Sequence, residues 1–296
     1  MKKVLITGIS GFLGWHCAQK FLEQGYDVSG VDVIVPKNQN EINFRQSEVT
    51  FENLKIFDKI FDYIIHCAGG STVGASIKSP YEEYEKTVST TMAILEYIRL
   101  YSPKTKLIYP SSAAVYGNSY DRAIKEDDVI LPYSPYGSYK YIVEELCRSY
   151  YKNFNVNSNI IRFFSIYGEG LQKQILFDAC KKFKVSDNPE FFGTGEETRD
   201  WLYITDAVEL IYQIAINTDG FCILNGGSGQ GTKIKDVIQI LAKNLNKQNI
   251  WYFNNKVKEG DPKCYIADIS TAKKIGWSPN VDLETGIAKY VKWFKN

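Results

Sequence analysis

Along the first half of the chain, short runs of aliphatic and β-branched residues alternate with stretches in which apolar positions recur every three or four residues. The runs predict strands over Val4–Thr7, Tyr26–Val33, Tyr63–Cys67, Lys106–Tyr109 and Asn159–Ser165. The spaced stretches predict helices over Phe12–Gln24, with Gly25 as C-cap, over Tyr81–Leu100, ending before Pro103, and over Tyr136–Phe154. Strands and helices that alternate through short connections predict an α/β fold with a doubly wound parallel sheet. The second half is less regular. It predicts helices over Leu171–Lys184, Asp206–Asn217 and Lys233–Asn244, a strand over Cys222–Leu224, and loop with short strand from Pro189 to Arg199. This reading expects a large lobe over 1–164, to which 200–222 return, and a smaller C-terminal α/β lobe from 165–199 and 223–296.

Composition narrows the function classes. Of 296 residues, 44% are hydrophobic and 23% charged, which excludes a disordered, collagenous or coiled-coil chain. Lys and Arg number 35 against 34 Asp and Glu, so no basic excess favours nucleic acid. The cysteines Cys17, Cys67, Cys147, Cys180, Cys222 and Cys264 form no CxxC pair, and the only histidines are His16 and His66, so no metal site is expected. Buried free thiols fit a reducing cytoplasm. No apolar run reaches the roughly 18 residues of a membrane span. Lys2 and Lys3 precede the apolar stretch Val4–Trp15, but three glycines interrupt it, and strand, turn and helix is the expectation in place of a signal peptide.

Gly8, Gly11 and Gly14 follow the first strand and open the first helix. Glycines there let backbone approach a pyrophosphate, while the helix N-terminus offers free N–H groups and a favourable dipole. Asp32 lies 18 residues beyond Gly14, at the end of the next strand. A carboxylate in that place accepts from both adenosine ribose hydroxyls and repels a 2′-phosphate. The combination predicts a Rossmann-type dinucleotide site that prefers NAD to NADP, with Lys37 as the one nearby cation able to weaken the rule.

Tyr136 and Lys140 stand four apart at the start of a predicted helix and so share a face. A tyrosine of ordinary pKa, about 10, is a poor base near neutrality, and an adjacent ammonium and the positive charge of an oxidised nicotinamide both favour the phenolate. Ser112 follows a strand, where ligands meet a parallel sheet, and can bond a substrate oxygen. The same spacing recurs at Tyr252–Lys256, with no serine-bearing strand before it.

These segments together resemble the extended short-chain dehydrogenase/reductase family, in its nucleotide-sugar epimerase/dehydratase branch (UDP-glucose 4-epimerase-like). The matching pieces are TGISGFLG at 7–14, HCAG at 66–69, PSSAAVYG at 110–117, SPYGSYK at 134–140, RFFSIYG at 162–168, FGTGEETRDWLYITDAV at 192–208 and ADISTAKKIGWSP at 267–279. The resemblance implies a Ser112–Tyr136–Lys140 catalytic triad. It also implies an NAD pocket from Gly8, Gly11, Phe12, Leu13, Gly14, Asp32, Glu48 and Ala68, with Tyr136 and Lys140 reaching the cofactor. The smaller lobe would bind the nucleotide-diphosphate sugar through Ser165, Lys173, Gln174, Arg199 and Lys258, with Arg199 on the diphosphate. His66 would be structural, and Tyr116 would either line the sugar pocket or pack. Two long helices, Tyr81–Leu100 and Tyr136–Phe154, would pair copies into a homodimer. The departures are Ser165 for a common Asn, Thr87 for a common Asn near the cofactor, and Lys258 for a frequent Arg. Ala113 and Ala114 stand where related 4,6-dehydratases carry an acid pair, which speaks against dehydration.

Three functions remain open at this point. The first is a 4-epimerase that oxidises sugar C4 and reduces it from the other face. The second is a reductase of nucleotide 4-keto-6-deoxyhexoses that consumes NAD(P)H. The third is a dinucleotide-binding regulator without turnover, against which the proton-transfer set argues.

Overall fold

The computed structural model describes residues 1–296 apart from 37, 39–40, 58–59, 71, 119, 187, 248–249 and 257–261. Its frame is a seven-stranded sheet in the spatial order Phe221–Gly226, Ser158–Phe163, Lys106–Ser112, Tyr63–His66, Lys3–Thr7, Asp27–Asp32 and Ile42–Gln46. Every pairing in it is parallel. The strands Tyr63–His66 and Ser158–Phe163 are buried at every residue, because helices cover both faces. Phe12–Glu23 and Ile204–Asn217 pack on one face and are tied by Lys20 to Glu209 at 2.7 Å. Thr90–Tyr101 and Pro135–Phe154 cover the other. The chain order reverses between Lys3–Thr7 and Tyr63–His66, and a crevice opens beyond the carboxyl ends of these strands, as such a switch point dictates.

A second, five-stranded sheet joins Gly231–Lys233, Thr198–Tyr203, Cys264–Ala267 and Ala123–Ile124, with Ser165–Tyr167 paired to Thr198–Tyr203. A two-stranded pair, Glu190–Phe191 with Tyr252–Phe253, lies apart. The strand Phe221–Gly226 pairs through all six residues with Ser158–Phe163, so a boundary at 222/223 falls inside a strand of the large sheet. We therefore propose that the smaller lobe resumes after Gly226, and that it borrows Ala123–Ile124 from the span 1–164.

Three expected elements differ. The helix expected over Tyr81–Leu100 is Pro80–Tyr84, a π turn over Glu85–Ser89, and Thr90–Tyr101. The helix expected from Leu171 starts at Gln174, whose φ of 67° turns the chain before it. The strand expected over Asn159–Ser165 divides at Phe164, its first part in the large sheet and its second in the small one.

Candidate active site

A cavity of about 1390 Å³ runs along the switch point, lined by both lobes. Its cofactor end is the turn after Lys3–Thr7. Gly8 takes φ +67°, and a Cβ there would sit 2.6 Å from the Ala68 backbone nitrogen, so only glycine lets the two loops touch. The helix that follows has Gly11 as N-cap with no side chain capping its free N–H groups, and these open on the cavity. That is the donor set a diphosphate requires. Asp32 lies half-buried at the rim. Its Oδ2 accepts from the Ser10 backbone N–H at 2.9 Å and its Oδ1 from Ile34 N–H at 3.0 Å, which aims the carboxylate into the pocket. Phe12, Leu13, Gly14, Glu48 and Ala68 all line the same end. These residues fit a dinucleotide with a free 2′-hydroxyl. Lys37 and Lys258 lie outside the described residues.

Asp32→Ala is expected to narrow the preference for NADH over NADPH by roughly tenfold or more, since hydrogen bonds to a charged acceptor contribute about 1.5–3 kcal/mol. Dissociation constants of both cofactors, measured by fluorescence titration, check it. An unchanged ratio would remove Asp32 from the selection.

The chemistry-bearing residues meet at the middle of the cavity. Ser112 ends the strand Lys106–Ser112 and accepts from Ala114 N–H at 3.2 Å. The helix Pro135–Phe154 starts with Ser134 as N-cap, accepting from Gly137 N–H at 3.2 Å, and with proline at its first position. That start places Tyr136 and Lys140 one turn apart, facing the strand end. Lys140 is buried and donates to the Pro110 carbonyl at 2.9 Å, with its ammonium 4.5 Å over the Tyr109 ring and 5.8 Å from that of Tyr136. Burial pulls Lys140 down to about 8, while Glu83, Cys67 and Glu144 oppose that. The Tyr136 phenol is raised to about 12, chiefly by burial, with a hydrogen bond to Ser112 pulling the other way. The expectation that the ammonium and the positive charge of an oxidised nicotinamide both favour the phenolate concerns the cofactor-bound state; in the protein without cofactor, burial raises the phenol.

At the sugar end, Ser165, Lys173, Gln174 and Arg199 all reach the cavity. Arg199 donates to the Pro262 carbonyl at 2.7 Å and lies 5.8 Å from the Tyr265 ring. Lys173 is lowered by burial. Phe164, Pro262 and Tyr265 also line this end and were not among the expected contacts. Tyr116 does not line this cavity: it is fully buried, donates to Asn225 Oδ1 at 2.7 Å, and accepts from Arg162 at 2.9 Å. Of its two expected roles, packing is the one found. His66 is buried between Thr7 Oγ1 at 2.6 Å and Thr91 Oγ1 at 3.1 Å, and burial lowers it to about 3, which keeps it neutral. Among the described residues there is no cluster suited to a metal ion and no helix long and apolar enough to cross a membrane.

Comparison with known proteins places this cavity in context. The sequence model of the NAD dependent epimerase/dehydratase family matches residues 4–221. A UDP-glucuronate 4-epimerase of Thermodesulfobacterium geofontis is 28% identical over 98% of this chain and 95% of its own. The solved UDP-glucuronic acid 4-epimerase of Bacillus cereus, in complex with UDP-glucuronic acid and NAD, is 29% identical and superposes with a TM-score of 0.89 over 99% of both chains. The UDP-glucose 4-epimerase of Thermotoga maritima, solved with UDP-glucose, is 25% identical, with a TM-score of 0.90 over 99% of this chain and 98% of its own.

Proposed function

Since the chain belongs to the NAD dependent epimerase/dehydratase family, we propose that it is an NAD-dependent nucleotide-sugar 4-epimerase, with a nucleotide-diphosphate sugar as substrate. The observation that carries this reading is the convergence of Ser112, Tyr136 and Lys140 on one cavity with the glycine turn and Asp32. The UDP-sugar 4-epimerases among the related proteins support the same reaction. Ala113 and Ala114 line the cavity beside Ser112. Methyl groups transfer no protons, which argues against 4,6-dehydration.

In this reading Tyr136 takes the proton of the sugar 4-hydroxyl, and Ser112 bonds the same oxygen and shares the proton's path. NAD, when bound, accepts the hydride from C4 and returns it. Lys140, fixed on Pro110, keeps a positive charge 5.8 Å from the Tyr136 ring, which favours the phenolate that takes this proton. Arg199, from the smaller lobe, holds the diphosphate while the oxidised sugar turns over to present its other face. Tyr81, Leu100, Ile142 and Phe154, exposed on the helical segments named for pairing, support a homodimer.

The test is isotopic. Given UDP-glucose or UDP-glucuronate deuterated at C4, the enzyme is expected to form the C4 epimer with the label retained and no added NADH consumed. Stoichiometric oxidation of NADH by a nucleotide 4-keto sugar, with no epimer from any 4-hydroxy sugar, would make it a reductase instead. The replacement of a common Asn by Ser165 at the sugar end is the feature that keeps this outcome worth testing.

A further inference from the structure

Where the two lobes meet, one side chain of the cofactor helix reaches the loop that leads to the sugar end. His16 lies on Phe12–Glu23, one turn beyond Phe12, and its ring packs edge-on against the Phe12 ring with centroids 5.4 Å apart. Its Nε2 is 2.9 Å from the Glu169 carbonyl oxygen. A carbonyl only accepts, so Nε2 carries the proton and donates. Glu169 belongs to the loop 168–173, between the strand Ser165–Tyr167 and the helix Gln174–Val185. Gly170, next in the loop at φ +93°, faces the same two rings: a Cβ there would lie 3.7 Å from Phe12 Cδ2 and 3.9 Å from His16 Nε2. On its other side the loop is fastened to the smaller sheet and to the helix Leu283–Lys295. The Glu169 carboxylate accepts from the Tyr203 hydroxyl, at the end of the strand that carries Arg199, and the Leu171 carbonyl accepts from the Tyr290 hydroxyl at 2.8 Å.

We propose that His16 is a positioning residue that couples the cofactor site to the nucleotide-sugar site, by tying the loop 168–173 to the helix whose N-terminus faces the cofactor diphosphate. The proposal rests on the assignment of Lys173, Gln174 and Arg199 to the nucleotide sugar above. With a dinucleotide on the glycine turn, the first turn of that helix is restrained where Phe12 and Leu13 line the cavity. Phe12 shares a face with His16, so the restraint passes through the ring contact and the Nε2 donor to Glu169 and Gly170. Leu171, Lys173 and Gln174, which follow directly, line the cavity. Through Tyr203 the restraint also reaches the strand of Arg199. Among the described residues the His16–Glu169 contact is the one hydrogen bond between this helix and this loop. Lys20, one turn beyond His16, is committed to Glu209 at 2.7 Å, within the large lobe. A loop already ordered by the cofactor costs a second ligand less to order, which is positive coupling without a large movement. By linkage, the nucleotide sugar tightens the cofactor by the same factor.

The experiment reads the loop directly, by hydrogen–deuterium exchange of the segment 168–174 in the full chain, with the cofactor removed and with saturating NAD. In the wild type, NAD is expected to slow exchange of this segment by roughly two- to tenfold, the range set by one hydrogen bond's net contribution. His16→Gln keeps a donor within reach of the Glu169 carbonyl and should keep this slowing. His16→Phe keeps a ring against Phe12 and removes the donor; its loop should exchange at one rate with or without NAD. His16→Leu, which also lacks a donor, is expected to match it. A side chain that only packs would give the opposite ranking, with the slowing kept in His16→Phe and lost in His16→Gln. In turnover assays, KM for the nucleotide sugar should rise by roughly two- to tenfold in His16→Phe while kcat holds, because Ser112, Tyr136 and Lys140 are untouched. No slowing by NAD in the wild type overturns the proposal, as does an equal slowing in either folded donor-free variant. Because exchange is read without substrate or turnover, an absence of epimerase activity would overturn the reaction assigned above and leave this result standing.

Discussion

Tyr136→Phe is expected to lower turnover by about 10²–10⁴-fold, the usual effect of losing a positioned acid–base group. The ring remains, so its place at the start of the helix Pro135–Phe154 survives, and the dissociation constant for NAD should change little. What is lost is the hydroxyl that Ser112 bonds and whose proton the reaction must move. The free phenol is held at about 12. At neutral pH the phenolate is therefore a minor form, and His66, buried and held by Thr7 and Thr91, does not stand in for it. Lys140→Ala should damage both turnover and cofactor affinity, and Ser112→Ala mainly turnover. Single-turnover formation of reduced cofactor from a C4-hydroxy nucleotide sugar checks all three. Near-wild-type turnover in a folded Phe variant would remove Tyr136 from the chemistry.

The sequence exposed those parts of the fold where one physical demand dominates. Strands buried on both faces must be apolar runs, and Tyr63–His66 and Ser158–Phe163 are legible for that reason. Ile42–Gln46 is an edge strand with exposed Asn43 and Gln46, so no run marked it. The π turn over Glu85–Ser89 has no sequence signal, because helix propensity does not distinguish it from an ordinary turn. The division at Phe164 is set by pairing with Trp201–Tyr203, far along the chain.

The candidate site divides in the same way. Gly8, Ser112 and Tyr136 sit at strand and helix ends, where local patterns also point to ligands. Phe164, at the break between the two sheets, and Tyr265, on the smaller sheet, line the cavity without a local pattern that points to a ligand. Tyr116 was ambiguous because its partners, Arg162 and Asn225, lie 46 and 109 residues away. Glu83 stands beside Glu82 and near Glu85, with no local pattern that sets it apart. Only the contact with Gly70 and Thr87 marks it as buried.

Glu144→Ala is expected to reduce stability by about 3–5 kcal/mol, the range for removing one member of a buried ion pair. Glu144 is 0% and Arg162 1% exposed, and the guanidinium grips the carboxylate through Nε at 3.1 Å and Nη2 at 2.7 Å. Alanine leaves that guanidinium buried with only Tyr116 and the Glu126 carbonyl as partners. The double variant Glu144→Met with Arg162→Met removes both charges and should recover much of the loss, since the penalty belongs to the stranded charge more than to the missing pair. Urea unfolding midpoints check both, and a loss below about 1 kcal/mol in Glu144→Ala would contradict the argument. The effect should reach the chemistry as well. Glu144 lies one turn beyond Lys140, and the Ser111 hydroxyl that donates to it at 2.6 Å precedes Ser112 in the strand. Glu144 thus fastens the strand carrying the serine, through Ser111, and its neighbour, through Arg162, to the helix carrying the tyrosine and lysine. Loosening that joint shifts the three groups relative to one another, so turnover should fall further than the folded fraction does.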